Sequence, residues 1–212
     1  AATDSGLVIV DTEKNVRVEN EMTDLYSGRK LTDIVSGNGK IYIAVYGDGV
    51  YDGDGNLIYE TARAGRLTML DGSLYILTAS GCVISDKNGR VSTLTEADGL
   101  YNTHITGALV GTFGRKTEER LYLASEGAGI YVFKDGELEE IIDENSGLPS
   151  KNVNDFAEYN NGFFIATDNG IAYYDGRRIA ELKRMPEVLE GKKCENLFIR
   201  DGSLYVVSRD SV

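Results

Sequence analysis

Acidic residues recur at the short turns that follow one type of predicted strand, and these are the residues best suited to bind a ligand. The turns carry Asp48, Glu126, Asp168 and Asp210, and we place the four carboxylates at equivalent positions of a repeat. Carboxylate oxygens bind amines, hydroxyl groups or a hard cation such as Ca²⁺. Asp and Asn are also favoured in turns before glycine for conformational reasons alone, so the pattern has a purely structural interpretation as well.

The single histidine, His104, lies in a second set of loops that we expect to open at the same end of the fold. It aligns with Asn152, and Lys151 precedes that asparagine. A histidine there is either a polar rim residue or a general base, and the second role needs an orienting partner. No catalytic residue is assigned. The predicted ligand-binding residues are Asp48, Glu126, Asp168, Asp210, His104, Asn152 and Lys151.

Thiol and metal chemistry have little support in the sequence. Two cysteines, Cys82 and Cys194, are too few for a disulfide framework or a thiolate zinc site, and we predict two free, buried thiols. Segment 52–56 begins like a calcium-binding loop, but Leu57 stands where glycine is needed and Arg63 where glutamate is needed. We predict no metal site and no cofactor, with Ca²⁺ at the turn carboxylates as the one ion left open.

Charge and hydropathy exclude several kinds of partner. The chain has 212 residues with 22 basic and 34 acidic side chains, a net charge of −12. Such a field repels phosphate backbones and anionic lipid, so we predict no nucleic-acid partner. The apolar runs span only a few residues, and we therefore predict no membrane insertion of this chain and no signal peptide.

Glycine-containing turns separate short β-rich runs along the whole chain. There are 25 glycines and 2 prolines, and many of the glycines follow Asp, Asn or Ser, as tight hairpins require. The strongest runs lie at 41–45, 74–78, 121–125, 163–167 and 204–208. Only stretches 21–31 and 183–196 are compatible with a helical turn. The chain is predicted to be all-β.

These five runs belong to one repeat. Their aromatic residues are Tyr42, Tyr75, Tyr122, Phe164 and Tyr205, spaced by 33, 47, 42 and 41 residues. A period of about 40 residues with four short antiparallel strands, here named A to D, is typical of a propeller blade. We expect the five aromatic side chains, all on strand B, to pack between neighbouring blades. The longer A–B connection at 111–120 is predicted to be a solvated hairpin.

The predicted fold is a single-domain β-propeller of five four-stranded blades. The blades cover about 31–60, 65–95, 103–142, 152–183 and 192–212. Segment 3–18 aligns with strands C and D of other repeats, so we expect the closing blade to combine both chain ends, which leaves no open sheet edge. The alternative is a fragment of a larger propeller.

Two stretches resemble a known repeat family. Residues 145–156 (NSGLPSKNVNDF) and 162–176 (GFFIATDNGIAYYDG) are similar to the two-component regulator propeller repeat. The resemblance implies a bacterial, periplasmic or extracellular, sensor-like module that binds ligands or partners without catalysis. The chain has no tryptophan, and tyrosine or phenylalanine stands where the family has one in strand B.

Three function classes remain open at this level. The first is a non-catalytic propeller that binds a small molecule, a glycan or a protein partner at the channel mouth. The second is a carbohydrate-active hydrolase or lyase that uses channel carboxylates or His104. The third is a structural scaffold protein.

Overall fold

The computed structural model describes residues 1–14, 16–180, 182, 189 and 191–209. The chain divides into two compact units, residues 1–93 and residues 94–212. Each unit is built almost entirely from short antiparallel strands.

The first unit begins with two small sheets and a short helix. The first sheet pairs β1 (Ala2–Thr3) with β2 (Gly6–Leu7), and the second pairs β3 (Ile9–Asp11) with β4 (Val16–Val18). Helix α1 (Glu21–Leu25) follows, within the stretch for which a helical turn was predicted. The other such stretch is partly outside the described residues, and its last part begins a strand rather than a helix.

Four sheets of four antiparallel strands then follow, as the repeat predicts. In the first unit they are β5 (Leu31–Gly37), β6 (Lys40–Val45), β7 (Gly49–Asp52) and β8 (Leu57–Glu60), and then β9 (Ala64–Leu70), β10 (Ser73–Thr78), β11 (Gly81–Ser85) and β12 (Val91–Leu94), which ends at the border of the unit. In the second unit they are β13 (Ile105–Gly111), β14 (Arg120–Ser125), β15 (Gly129–Lys134) and β16 (Glu137–Ile142), and then β17 (Val153–Tyr159), β18 (Gly162–Thr167), β19 (Gly170–Tyr174) and β20 (Ile179–Ala180). A two-stranded sheet of β21 (Lys193–Arg200) and β22 (Ser203–Arg209) completes the second unit.

A hydroxyl at the end of strand B recurs in the B–C turns. Thr78 donates a hydrogen bond to the carbonyl of Gly81 at 2.9 Å, and Thr167 does the same to Gly170 at 2.8 Å. Thr3 repeats this contact with Gly6 at 2.6 Å, so β1 has the position of the end of a B strand. The N-terminal segment therefore contains part of strand B as well as the predicted strands C and D. The number of blades and the closure of the ring stay predictions.

Neighbouring sheets within a unit are joined by recurring hydrogen bonds from strand A. The side chain of the second residue of strand A donates to a carbonyl at the start of the next strand A: Thr32 to Ala64 at 3.1 Å, Thr106 to Val153 at 2.6 Å and Asn154 to Cys194 at 2.8 Å. The following aspartate accepts an amide N–H from the next strand A: Asp33 from Leu67 at 2.8 Å and Asp155 from Leu197 at 2.9 Å. These contacts satisfy backbone groups that the strand ladders leave unpaired.

The core of the second unit is aromatic, and connection 111–120 contributes to it. Phe113 is 2% exposed and its ring lies 5.2 Å from Phe163 and 5.5 Å from Tyr122, centre to centre. Gly114 donates its N–H to Asn161 at 3.0 Å. The prediction of a solvated hairpin was therefore wrong for Phe113, which packs between two sheets, whereas Arg115 and residues 117–119 of the connection are exposed.

The predicted packing of the strand B aromatic residues holds for some sheets and fails for one. Tyr75 and Tyr122 are buried, and Tyr42 and Phe164 are half-buried. Tyr205 is 47% exposed, so the prediction was wrong for the two-stranded sheet. Its ring stacks in parallel on that of Phe198 with 4.7 Å between the centres.

Both cysteines are free and buried, as predicted. Burial raises the pKa of the Cys82 thiol to about 12, which makes it a poor nucleophile near neutral pH. In the described part of the chain, the helical segments are too short and too polar to traverse a bilayer.

Candidate functional site

Backbone hydrogen bonds of the second unit bring four of the predicted site residues into one row. The N–H of Glu126 donates to the carbonyl of His104 at 3.0 Å, and Glu126 also forms an isolated antiparallel bridge with Asn152. The N–H of Asp168 donates to the carbonyl of Asn152 at 3.2 Å. We name His104, Glu126, Asn152 and Asp168 the polar row. It lies where B–C turns meet the residues that precede strand A.

One end of the polar row is a histidine–carboxylate pair. His104 Nδ1 lies 2.5 Å from Glu126 Oε2, and the two side chains are 51% and 57% exposed. A carboxylate that orients an imidazole occurs in general bases, but it occurs equally in hydrogen-bonded rims that are open to solvent. The pair thus supplies the orienting partner that a catalytic histidine requires, without an enclosed site around it.

The loop that carries His104 is anchored by hydrogen bonds to Tyr131 of β15. The hydroxyl of Tyr131 accepts the N–H of Asn102 at 2.6 Å and donates to the carbonyl of Asn102 at 3.1 Å. The side-chain oxygen of Asn102 accepts the N–H of His104 at 2.9 Å. Tyr101, which precedes this anchor, is 81% exposed. The loop therefore holds the backbone of His104 in a defined position, next to an exposed aromatic residue.

The other end of the row is a more strongly bonded carboxylate. Asp168 accepts hydrogen bonds from Asn152 at 3.0 Å and Asn154 at 2.9 Å, and Lys193 Nζ lies 3.1 Å away. Burial raises the pKa of the Asp168 carboxyl, but these hydrogen bonds and the lysine charge outweigh it and hold the pKa below its usual range. Asp168 is therefore an ionised acceptor whose charge is already compensated.

Lys151 contributes its backbone to the row. Its carbonyl accepts the N–H groups of Gly127 at 3.2 Å and Gly129 at 2.8 Å, while its side chain is exposed. Gly127 has φ +108, and a Cβ at this position would lie 3.0 Å from the side-chain nitrogen of Asn102. Glycine is thus required in the turn, both for the backbone angle and for the amide that packs against it.

Asp48 does not occupy the position of the other carboxylates. It is the last residue of the three-residue turn between Val45 and Gly49, whereas Glu126 and Asp168 are the first residues of their turns. Its carboxylate pairs with the guanidinium of Arg29 in the first unit. The expected equivalence was therefore wrong for Asp48. Asp210 lies outside the described residues.

Sequence reasoning missed the polar partners of the row. Asn154 and Lys193 hold Asp168, and Asn102 packs against the turn of Glu126. The role of Asn154 could have been recognised in the sequence, because Thr32 and Thr106 are polar residues at the same position of strand A in their repeats. Within the described ranges, no three His, Cys, Asp or Glu side chains come together in a way that could hold a metal ion.

Comparisons with known proteins support the fold. No family model and no curated protein matches the sequence. Among solved structures, the extracellular domain of a protein described as a hybrid two-component system from B. thetaiotaomicron superposes with a TM-score of 0.61 at 16% identity, over 85% of this chain and 25% of that chain. The computationally designed protein Ika8 gives 0.69 at 13% identity, over 99% and 64%. PorZ, a surface component of the type-IX secretion system of Porphyromonas gingivalis, gives 0.52 at 16% identity, over 94% and 26%.

The chain spans about a quarter of the length of the two natural structures and less than two thirds of the designed one. At these identities the likeness establishes an all-β, propeller-like fold of four-stranded antiparallel sheets. The similar domain from B. thetaiotaomicron is extracellular, which agrees with the resemblance that the repeat motif indicates.

Proposed function

We propose that this chain is a non-catalytic, sensor-like binding module of a bacterial extracytoplasmic protein, and that it binds its ligand at the polar row. The observation that supports this proposal most directly is the arrangement of His104, Glu126, Asn152 and Asp168, which consecutive turns present in one hydrogen-bonded line. Sites placed on loops of a rigid scaffold can vary their chemistry without disturbing the sheets.

The chemistry of the row indicates the class of ligand. Glu126 offers carboxylate oxygens, the amides of Asn102 and Asn152 offer both donors and acceptors, and the second unit is acidic as a whole. Such groups suit a hydroxyl-rich small molecule or glycan, or the polar side chains of a protein partner, and disfavour a free phosphate. Location in the periplasm or outside the cell is part of this proposal and rests on the repeat resemblance and on the extracellular neighbour.

A hydrolase or lyase is the second candidate, and the His104–Glu126 pair is the observation that favours it. Both side chains are more than half exposed, whereas general acid–base catalysis profits from a site that excludes water. We therefore place binding first. A scaffold role predicts no ligand at this row at all.

The test begins with a thermal-shift screen of glycans and metabolites, followed by titration calorimetry on each ligand that raises the melting temperature. Glu126→Gln is expected to weaken binding by about tenfold or more, because it removes hydrogen bonds to a charged group. Asp168→Asn is expected to weaken binding less, because Asp168 acts by orienting Asn152. Arg115→Ala, an exposed change in connection 111–120, is the matched control and should leave affinity unchanged. Loss of binding in the control alone would overturn the site.

Asp48→Asn provides a separate arm. A ligand confined to the polar row of the second unit is indifferent to this variant, and weaker binding would contradict that confinement. Turnover of a glycan that His104→Gln abolishes would replace the binding proposal by the enzymatic one.

A further inference from the structure

We propose that a cleft of the first unit binds an alkylammonium group, that is, a primary amine carried on an aliphatic chain. The cleft has a volume of about 430 Å³, within the range of small-molecule sites. Its lining consists of Asn20, Glu21, Met22, Leu25, Gly53 and Asp54. None of these residues belongs to the polar row, so the inference is independent of the proposed function.

Both walls of the cleft are held in place. One wall is helix α1, where Asn20 accepts the N–H of Thr23 at 3.1 Å and Thr23 Oγ1 accepts the N–H of Asn20 at 2.9 Å. The other wall is the turn between β7 and β8. Tyr26, fully buried at the end of the helix, donates its hydroxyl to the carbonyl of Asp52 at 2.7 Å and ties the two walls together. A ligand would thus meet a preformed site and lose little affinity to reorganisation.

Met22 and Leu25 supply apolar surface to the cleft, and two glycines of the turn make room for their side chains. A Cβ on Gly53 would lie 2.9 Å from Met22 Cε, and one on Gly55 would lie 2.7 Å from Leu25 Cδ2. The methionine and leucine side chains therefore pack directly on the turn. Leu25 nevertheless remains 45% exposed. This exposed apolar surface can be covered by the methylene groups of a ligand, as the stem of a lysine covers apolar surface.

The rim of the cleft is negative. Glu21 and Asp54 are exposed carboxylates on opposite walls, and none of the lining residues is basic. Asp52, beneath the turn, is not available to a ligand because it accepts hydrogen bonds from Asn56 and pairs with Lys40. Methionine and leucine side chains beside two exposed carboxylates match a cation at the end of an aliphatic chain. A free alkylamine and a lysine side chain of a partner share this chemistry.

The test follows the methionine methyl groups by NMR, since the chain has only three methionines and Met22 is in the cleft. The protein is titrated with n-hexylammonium, with hexanol and with hexanoate. We expect saturable shifts of the Met22 methyl with hexylammonium and no matching shift of Met69, which packs elsewhere in the same unit. Hexanol should bind up to about fivefold more weakly and hexanoate more weakly still, because the exposed ion pairs are lost or reversed.

Variants test whether the two carboxylates of the cleft contribute to binding of the ammonium group. Glu21→Gln with Asp54→Asn should reduce hexylammonium affinity to that of hexanol, whereas Glu60→Gln, at the far end of β8, should change nothing. Equal binding of hexanol and hexylammonium, or equal shifts at Met69, would overturn the proposal, as would no shift at Met22. The last titration uses Nα-acetyl-lysine amide. Shifts of the Met22 methyl as large as those with hexylammonium assign the site to a lysine of a partner, and smaller shifts assign it to a free amine.

Discussion

Two sheets of the second unit present equivalent residues on the face that points to the next sheet along the chain, here called the forward face. On β17 and β18 this face carries Ala157, Phe164 and Ala166, which pack against the apolar residues of β21 and β22. On β21 and β22 the strand register places Phe198, Tyr205 and Val207 at the same positions, and they are 50%, 47% and 45% exposed.

The difference shows that strand alternation selects which side chains share a face but does not decide whether that face is buried. Burial requires a second sheet packed against that face. The inter-sheet hydrogen bonds follow the same rule. Asp155 accepts the N–H of Leu197, whereas its counterpart Asn196 is exposed.

The largest expected effect contrasts the buried opposite face of β18, which carries Phe163, with the exposed forward face of β21 and β22. Phe163→Ala removes a fully buried ring that contacts Phe113, Tyr122 and Phe156, and should lower the free energy of unfolding by about 3–5 kcal/mol. Phe198→Ala removes one ring of an exposed stacked pair and should cost about 1 kcal/mol or less. Chemical denaturation measures both. A cost for Phe198→Ala as large as that for Phe163→Ala would mean that another sheet covers this forward face in solution, as the predicted ring closure requires.

A second prediction concerns connection 111–120. Phe113→Ala should lower the free energy of unfolding by about 3 kcal/mol, because it leaves a cavity in the aromatic core. Arg115→Ala, two residues away and exposed, should change it by about 0.5 kcal/mol or less. Equal, small effects of the two variants would restore the interpretation of a solvated hairpin.

The inter-sheet hydrogen bond is expected to contribute less. Asp155→Ala leaves the amide of Leu197 without this acceptor and should cost about 1–3 kcal/mol. Asn196→Ala, the equivalent change on the exposed forward face, should be close to neutral. If the asparagine variant loses as much stability as the aspartate variant, the two faces are not different in solution.

The smallest effect concerns pH and Asp168, which joins β18 to β21 through Lys193. Because the pKa of Asp168 is lower in the folded state than its ordinary value of 3.8, the carboxylate stabilises the fold above about pH 4 and this contribution is lost as the pH falls through the lower, folded pKa. The free energy of unfolding of the wild type should exceed that of Asp168→Asn by about 1 kcal/mol or less at pH 6, and the difference should disappear at acid pH. Lys193→Gln should reduce this difference in the free energy of unfolding. A difference that does not vary with pH would contradict its assignment to the Asp168 carboxylate.

Local chemistry made most of the fold predictable from the amino-acid sequence. Asp-Gly pairs set hairpins because both central residues of such a turn adopt a positive φ, as Asp71 and Gly72 show, and Asn160 with Asn161 does the same in a later hairpin. The repeat of apolar runs predicted four-stranded sheets, and the second strands begin and end within one or two residues of the predicted bounds. The loops of His104 and Asn152 lie at the same end of their sheets as the turns of Glu126 and Asp168, as the repeat predicts.

Tertiary contacts decided the rest. Phe113 became a core residue because two sheets leave a gap that a ring fills, and no periodicity in its own segment signals that gap. Asp48 is the last residue of its turn, whereas Glu126 is the first residue of a turn of the same length, and the carboxylate of Asp48 pairs with Arg29 instead. Tyr205 has the same strand position as Phe164 but is 47% exposed. Pattern determines which residues face the same way, and only the neighbouring surface determines whether they meet protein or water.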